Sequence, residues 1–81
     1  MSEVIFPKMS SAADATGVIV TWFVESGESV TPSTLIAEVA IDKVDAEVYP
    51  ETGGVITLLV AEEAEVVQGS VIATIEQLGQ E

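Results

Sequence analysis

Short apolar stretches rich in Val, Ile and Thr recur along the chain, each closed by turn residues: EVIFP (3–7), GVIVTWFV (17–24), TLIAEVAI (34–41), VDAEVYP (44–50), GVITLLV (54–60) and SVIATIEQ (70–77). β-branched residues in runs of this length, bounded by Gly, Pro, Ser and acid, predict strands. Helix competes only at AEEAEVV (61–67). That segment sits between strand-like runs and is too short to stand as a helix in water, so a turn and a short strand are expected there.

The pattern repeats. GVIVTWFVESGESV (17–30) aligns with GVITLLVAEEAEVV (54–67) at a constant offset, LIAEV (35–39) aligns with VIATI (71–75) once one residue is skipped, and IFP (5–7) matches VYP (48–50). Each half then supplies a first strand ending in aromatic-Pro, a long strand opened by Gly, a short connection and a closing strand. Neither half can bury its apolar face alone. The predicted fold is all-β: two similar four-stranded antiparallel sheets packed as a flattened barrel or sandwich with internal twofold pseudosymmetry. The 81 residues form one domain. Residues 8–16 are an insertion, expected as a surface loop where the second half has only 51–53, and 77–81 are a C-terminal tail.

Within VAIDKVDAEV (39–48) a two-residue turn at Asp42-Lys43 sets the register. It pairs Ile41 with Val44, Val39 with Ala46 and Ala37 with Val48 on one wholly apolar face, and Ala40 with Asp45, Glu38 with Glu47 and Ile36 with Tyr49 on the other. A slip of one residue would drive acids into the core. The turn lacks the Gly of a primed hairpin, so type I is expected. Lys43 is thereby carried to the tip of a hairpin. An exposed lysine among carboxylates is a poor Schiff-base former or general base, because catalytic lysines are desolvated or set beside other cations. Another protein must act on it.

Charge narrows the partners. Two basic residues against fourteen acidic ones give a net charge of −12, which repels nucleic acid and anionic membrane surfaces. The chain has no cysteine and no histidine, which excludes disulfides, thiolate chemistry and the usual general base. The start, MSEVIFPK, carries no secretory pattern, so a cytoplasmic or mitochondrial-matrix setting is expected, with the isolated domain a monomer.

With IDKV (41–44) between two similar halves, FPKMS near the start, GVIVTWFVESGESV, LIAEVAIDKVDAEV, GGVI and GSVIATIE in order, the chain resembles the lipoyl domains of 2-oxo acid dehydrogenase complexes. The resemblance implies that Lys43 is the lipoate acceptor, with both termini at the opposite end of a flattened barrel. It implies attachment by a lipoate ligase or lipoyl transferase. It also implies service to a thiamine-diphosphate-dependent 2-oxo acid dehydrogenase, an acyltransferase catalytic domain and the flavoprotein dihydrolipoyl dehydrogenase. The domain itself catalyses nothing. Gly27, sixteen residues before the lysine, matches a feature the attaching enzyme uses, and Asp42 and Val44 fit as immediate neighbours. Ala40 stands where the family has Glu, and Gly79 falls where a second acceptor would lie. The insertion is implied to lie near the turn and to serve recognition by the dehydrogenase.

Other readings are weaker. Biotin carriers use Ala-Met-Lys-Met, and Met is absent on both sides of Lys43. A module of the same fold with no cofactor predicts that no ligase modifies Lys43. Lys8 lacks a hairpin and reads as a surface charge. Asp42, Asp45 and Glu47 lack the spacing of a calcium loop. Trp22, Phe23, Phe6 and Tyr49 are too scattered for a stacking platform and read as core or rim packing.

Overall fold

The computed structural model describes residues 2–12 and 14–77. The chain runs β1 (Ser2–Ile5), β2 (Thr16–Trp22), β3 (Ser29–Val30), β4 (Ala37–Ile41), β5 (Val44–Val48), β6 (Gly54–Leu58), β7 (Glu65–Val67) and β8 (Val71–Glu76), and the described residues contain no helix. The strands form two four-stranded antiparallel sheets, ordered β1-β8-β6-β3 and β5-β4-β2-β7. Exchanging β1–β4 for β5–β8 converts one order into the other, so the twofold repeat in the sequence is a twofold in space. Each sheet draws two strands from each half. The halves interlock, which is how two segments that cannot fold alone share one core.

That core lies between the sheets and is itself paired. Ile19 and Ile56, Ile36 and Ile72, Val39 and Ile75, and Ala37 and Ala73 are all fully buried. Phe6 fills the same core from the end of β1. The segment 61–67 is a turn followed by β7, as its shortness and its strand-like neighbours lead one to expect.

The repeat is not at constant offset. Ile19 corresponds to Ile56, but Trp22 corresponds to Leu58. In the β2–β4 ladder Ile19 faces Val39 and Thr21 faces Glu38, with the register shifting between them, whereas β6 runs unbroken along β8. The extra residue is Val20, a bulge inside β2. The residue skipped in the sequence alignment therefore belongs in the middle of the long strand, not before the closing one.

Two glycines open the long strands for the same reason. A Cβ on Gly17 would run into Ala40 O, Ile41 Cγ1 and Phe6 Cζ, and one on Gly54 would run into Glu76 O. Gly54 also takes φ +153. In each half the closing strand's last carbonyls cross at a separation only glycine permits.

Ser2 pairs with Ile75, while Phe6, at the other end of β1, lies against the Gly17–Ile41 neighbourhood. The β1/β8 end is thus distant from the end that carries the β4–β5 turn. Thr16 is already strand, paired with Val67, so the insertion ends at Ala15. Gly79 and all but Gln77 of the tail lie outside the described residues.

Candidate functional site

The β4–β5 hairpin has the expected register over five pairs, from Ala37 with Val48 to Ile41 with Val44. Its inward residues Ala37, Val39, Ile41 and Val48 are buried, so slippage would cost the core. Two details differ from expectation. Val44 belongs to the inward set by alternation but is 55% exposed, next to the turn on edge strand β5. Ile36, assigned by alternation to the outer face, is fully buried. It precedes the first residue of β4, and the chain there turns across the end of the core, its N–H donating to Val48 O at 3.0 Å.

The turn is not type I. Asp42 has φ 55, whereas both central residues of a type I turn have negative φ. Asp is among the few residues that tolerate this left-handed region, because its short side chain can bond locally. Asp42 therefore performs the conformational task that Gly performs in many hairpins, and it puts Lys43 at the apex. Asp42, Lys43, Val44 and Asp45 are all exposed.

Ala40 lies on the outer face, opposite Asp45 on β5 and Val18 on β2, with Glu65 of β7 beyond Val18. Asp45, Ala40, Val18 and Glu65 form one row across the sheet, and a longer acid at position 40 would stand directly against Asp45. Farther along, Glu38 faces Glu47, and Glu47 accepts a hydrogen bond from the Tyr49 hydroxyl at 3.2 Å. That bond, together with the negative charge of Glu47, holds the Tyr49 phenol above its ordinary pKa.

Gly27 is not brought to Lys43. It occupies a turn in which Glu28 N–H donates to Glu25 O, and its own N–H donates to Ile56 O in the other sheet at 2.8 Å. β2 leads into this turn from Trp22, whose partner Ala37 is at the opposite end of β4 from the acceptor turn. Its φ is +98, and a Cβ there would meet nothing within 4 Å, so the position demands glycine for the backbone and not for space. Its counterpart is Glu63, at φ 71, whose N–H donates to Ile19 O.

Of the aromatic side chains, Phe6 is core. Trp22 is half-buried with its Nε1–H donating to Val60 O at 3.0 Å. Phe23 and Tyr49 are about half exposed. A shallow hollow of about 120 Å³ lined by Glu3, Val4, Ile5, Val48, Tyr49 and Glu51 lies between the edges of β1 and β5, away from the turn.

Lys8 is set differently from Lys43. Its stem runs over Gly69, where an added Cβ would come within 2.9 Å of Lys8 Cε. Sequence reasoning passed over Gln68, the buried polar residue beside that glycine. The available signal was Gln-Gly in a turn whose counterpart in the first half is Pro-Ser.

A paired fold of this kind with one lysine at the apex of a fixed hairpin defines a carrier domain of the biotin and lipoyl type. The family model described as "Biotin-requiring enzyme" matches residues 2–75, and the chain belongs to that family as a lipoyl domain. It is 45% identical over 64 residues, 78% of the chain, to the lipoamide acyltransferase component of the branched-chain alpha-keto acid dehydrogenase complex of Bacillus subtilis. It is 36% identical over 76 residues to the dihydrolipoyllysine-residue succinyltransferase component of the 2-oxoglutarate dehydrogenase complex of Staphylococcus saprophyticus. The chain spans 15% and 18% of the length of these two relatives. It also superposes with TM-score 0.78 and 29% identity on the lipoyl domain of the 2-oxoglutarate dehydrogenase complex of Azotobacter vinelandii, covering 96% of this chain and 100% of that one.

Proposed function

We propose that the chain is a non-catalytic swinging-arm carrier bearing lipoate in amide linkage on Lys43, within a 2-oxo acid dehydrogenase complex. The observation that carries this is the hairpin: five cross-strand pairs and a buried inner face fix a tip at which Lys43 stands exposed, while Lys8 lies along Gly69. The residues fit the group. An acyl acceptor needs an accessible amine on a rigid mount, and a mobile arm needs open space around it, which exposed Asp42, Val44 and Asp45 leave. When attached, lipoate supplies a dithiolane that can be reductively acylated by a thiamine-diphosphate-dependent dehydrogenase, relieved of the acyl group by an acyltransferase domain and reoxidised by dihydrolipoyl dehydrogenase.

The chain's own contribution is presentation. Asp42 turns the backbone, Ile41 and Val39 anchor β4, and the preset geometry spares each partner the ordering of a flexible peptide. Gly27 supports recognition at a distance, through the backbone of the turn that packs on β6. The cytoplasm or the mitochondrial matrix, where such complexes meet their substrates, is the setting this role requires.

Incubation with lipoate ligase, biotin protein ligase, ATP, and equimolar lipoate and biotin, followed by peptide mass mapping, tests the assignment. One lipoyl group on Lys43, none on Lys8 and no biotin adduct is the expected result. A biotin adduct would move the chain to the biotin carriers, and an unmodified Lys43 would make it a cofactor-free module.

A further inference from the structure

The segment between β1 and β2 is held by a single side chain from the far half. Gln68 is 6% exposed, and its amide is fully used: Oε1 accepts from Met9 N–H and Ser10 N–H, both at 2.9 Å, and Nε2 donates to Ser10 O at 2.9 Å and Ala12 O at 2.8 Å. These are all the hydrogen bonds a glutamine amide ordinarily makes. Its backbone N–H donates to Ala15 O at 2.9 Å, and the next residue, Gly69, donates to Phe6 O at 2.8 Å. The segment is thereby pinned at both ends and in its middle.

The pseudosymmetry shows that this is not turn chemistry. The turn closed by Ser70 N–H on Val67 O corresponds to the one closed by Thr34 N–H on Thr31 O, and Gln68 occupies the place of Pro32, a residue favoured there for its fixed φ. The short counterpart of the insertion packs directly: a Cβ on Gly53 would lie 3.2 Å from Val30 O. The 8–12 segment is instead tied to the fold through the Gln68 amide.

Placement gives the bridge a role. Residues 15–17 run from Gln68 to β2 and against Ala40 and Ile41, so the segment sits at the acceptor end of the sheet, two strands from the Lys43 turn. The twofold makes the two ends of the sandwich alike in strand pattern. Besides the turn itself, the 8–15 segment is what breaks that likeness at the acceptor end. We propose that Gln68 is a positioning residue that preorders the 8–12 segment at the acceptor end of the sheet, and so sets the affinity of the 2-oxo acid dehydrogenase for this domain. The proposal rests on the carrier role above.

The test uses the whole chain as wild type, Gln68→Ala and Gln68→Glu, each lipoylated to completion and checked by mass. The glutamate variant preserves size and the Oε1 acceptor but removes the donor to Ser10 O and Ala12 O. Reductive acylation is measured with whichever dehydrogenase, of the branched-chain or 2-oxoglutarate type, acylates the wild type faster. Expected for both variants are KM for the domain raised about tenfold, the equivalent of reordering roughly one residue on binding, kcat unchanged at saturation and the rate of lipoylation unchanged. Faster hydrogen exchange at Met9, Ser10 and Ala12 should accompany this. Unchanged KM despite faster exchange would overturn the proposal, as would parallel losses in lipoylation rate, kcat and melting temperature, which would make Gln68 a general structural residue. If the wild type itself is neither lipoylated nor acylated, it is the carrier role that fails.

Discussion

At the scale of single residues, the same residue type serves for different reasons at different positions. Gly17 is required by a close approach, so Gly17→Ala should destabilise by about 1–3 kcal/mol through forced displacement of Phe6, Ile41 and the Ala40 carbonyl. Gly27 is required by its φ, so Gly27→Ala should cost about 1 kcal/mol despite open space around it. Urea denaturation of both variants tests the ordering, and an equal or larger loss at Gly27 would contradict it. Tyr49 is the chain's one tyrosine, so its ionisation can be followed by ultraviolet absorbance without interference. Its midpoint should lie above 10, and Glu47→Gln should lower it, because the acceptor's charge is what retains the proton. A phenol pKa raised on folding contributes stability below pH 10 that disappears as pH rises through the folded value. The wild type should therefore lose slightly more stability than Glu47→Gln in that range, and a lower midpoint in the wild type would refute the contact.

At the scale of elements, the hairpin is the part most legible in the sequence. Alternation over 37–48 set which residues face inward, because a slip of one residue buries Asp45 and Glu47, and the two-residue turn at Asp42-Lys43 then fixed the five pairs. Alternation did not give the turn type or the environments of Ile36 and Val44. The turn type depends on Asp42 tolerating a left-handed φ, and burial at strand ends depends on where the facing sheet stops. The bulge at Val20 was visible as a skipped residue but could not be placed, since the ladder partner that reveals it lies across the sheet. Gln68 was passed over because its one mark in the sequence is a break in the repeat, Gln-Gly against Pro-Ser, while its partners lie nearly sixty residues away. The outer face of the hairpin carries a prediction of its own. Ala40→Glu restores the residue the family resemblance expects and should speed modification by a heterologous lipoate ligase. Its carboxylate against Asp45 should cost a few tenths of a kcal/mol in stability. Equal modification rates in a side-by-side time course would show that position 40 is not read.

At the scale of the molecule, the interlocked halves explain why so small a chain holds a rigid mount without a disulfide. Core side chains are supplied in symmetry-related pairs, Ile19 with Ile56 and Ile36 with Ile72 among them, one from each half, so a truncation on either side is felt by both sheets. Ile36→Ala and Ile72→Ala should each cost about 2–5 kcal/mol by creating equivalent cavities. Thermal or urea unfolding should show a single transition in both, and separate transitions for the two sheets would contradict a shared core. That rigidity is what the proposed function draws on: Lys43 is useful to partner enzymes because the rest of the fold holds it in one place. The most direct measurement compares reductive acylation of the lipoylated domain with that of a linear peptide of residues 39–48 lipoylated at the same lysine, using the dehydrogenase that acylates the domain. The peptide must lose the conformational freedom of its residues, about 1–2 kcal/mol for each one fixed, and it lacks the surface around the turn. Its kcat/KM should fall below that of the domain by several orders of magnitude. Comparable values would contradict the claim that the fold, beyond the lysine and its arm, is what the partner reads.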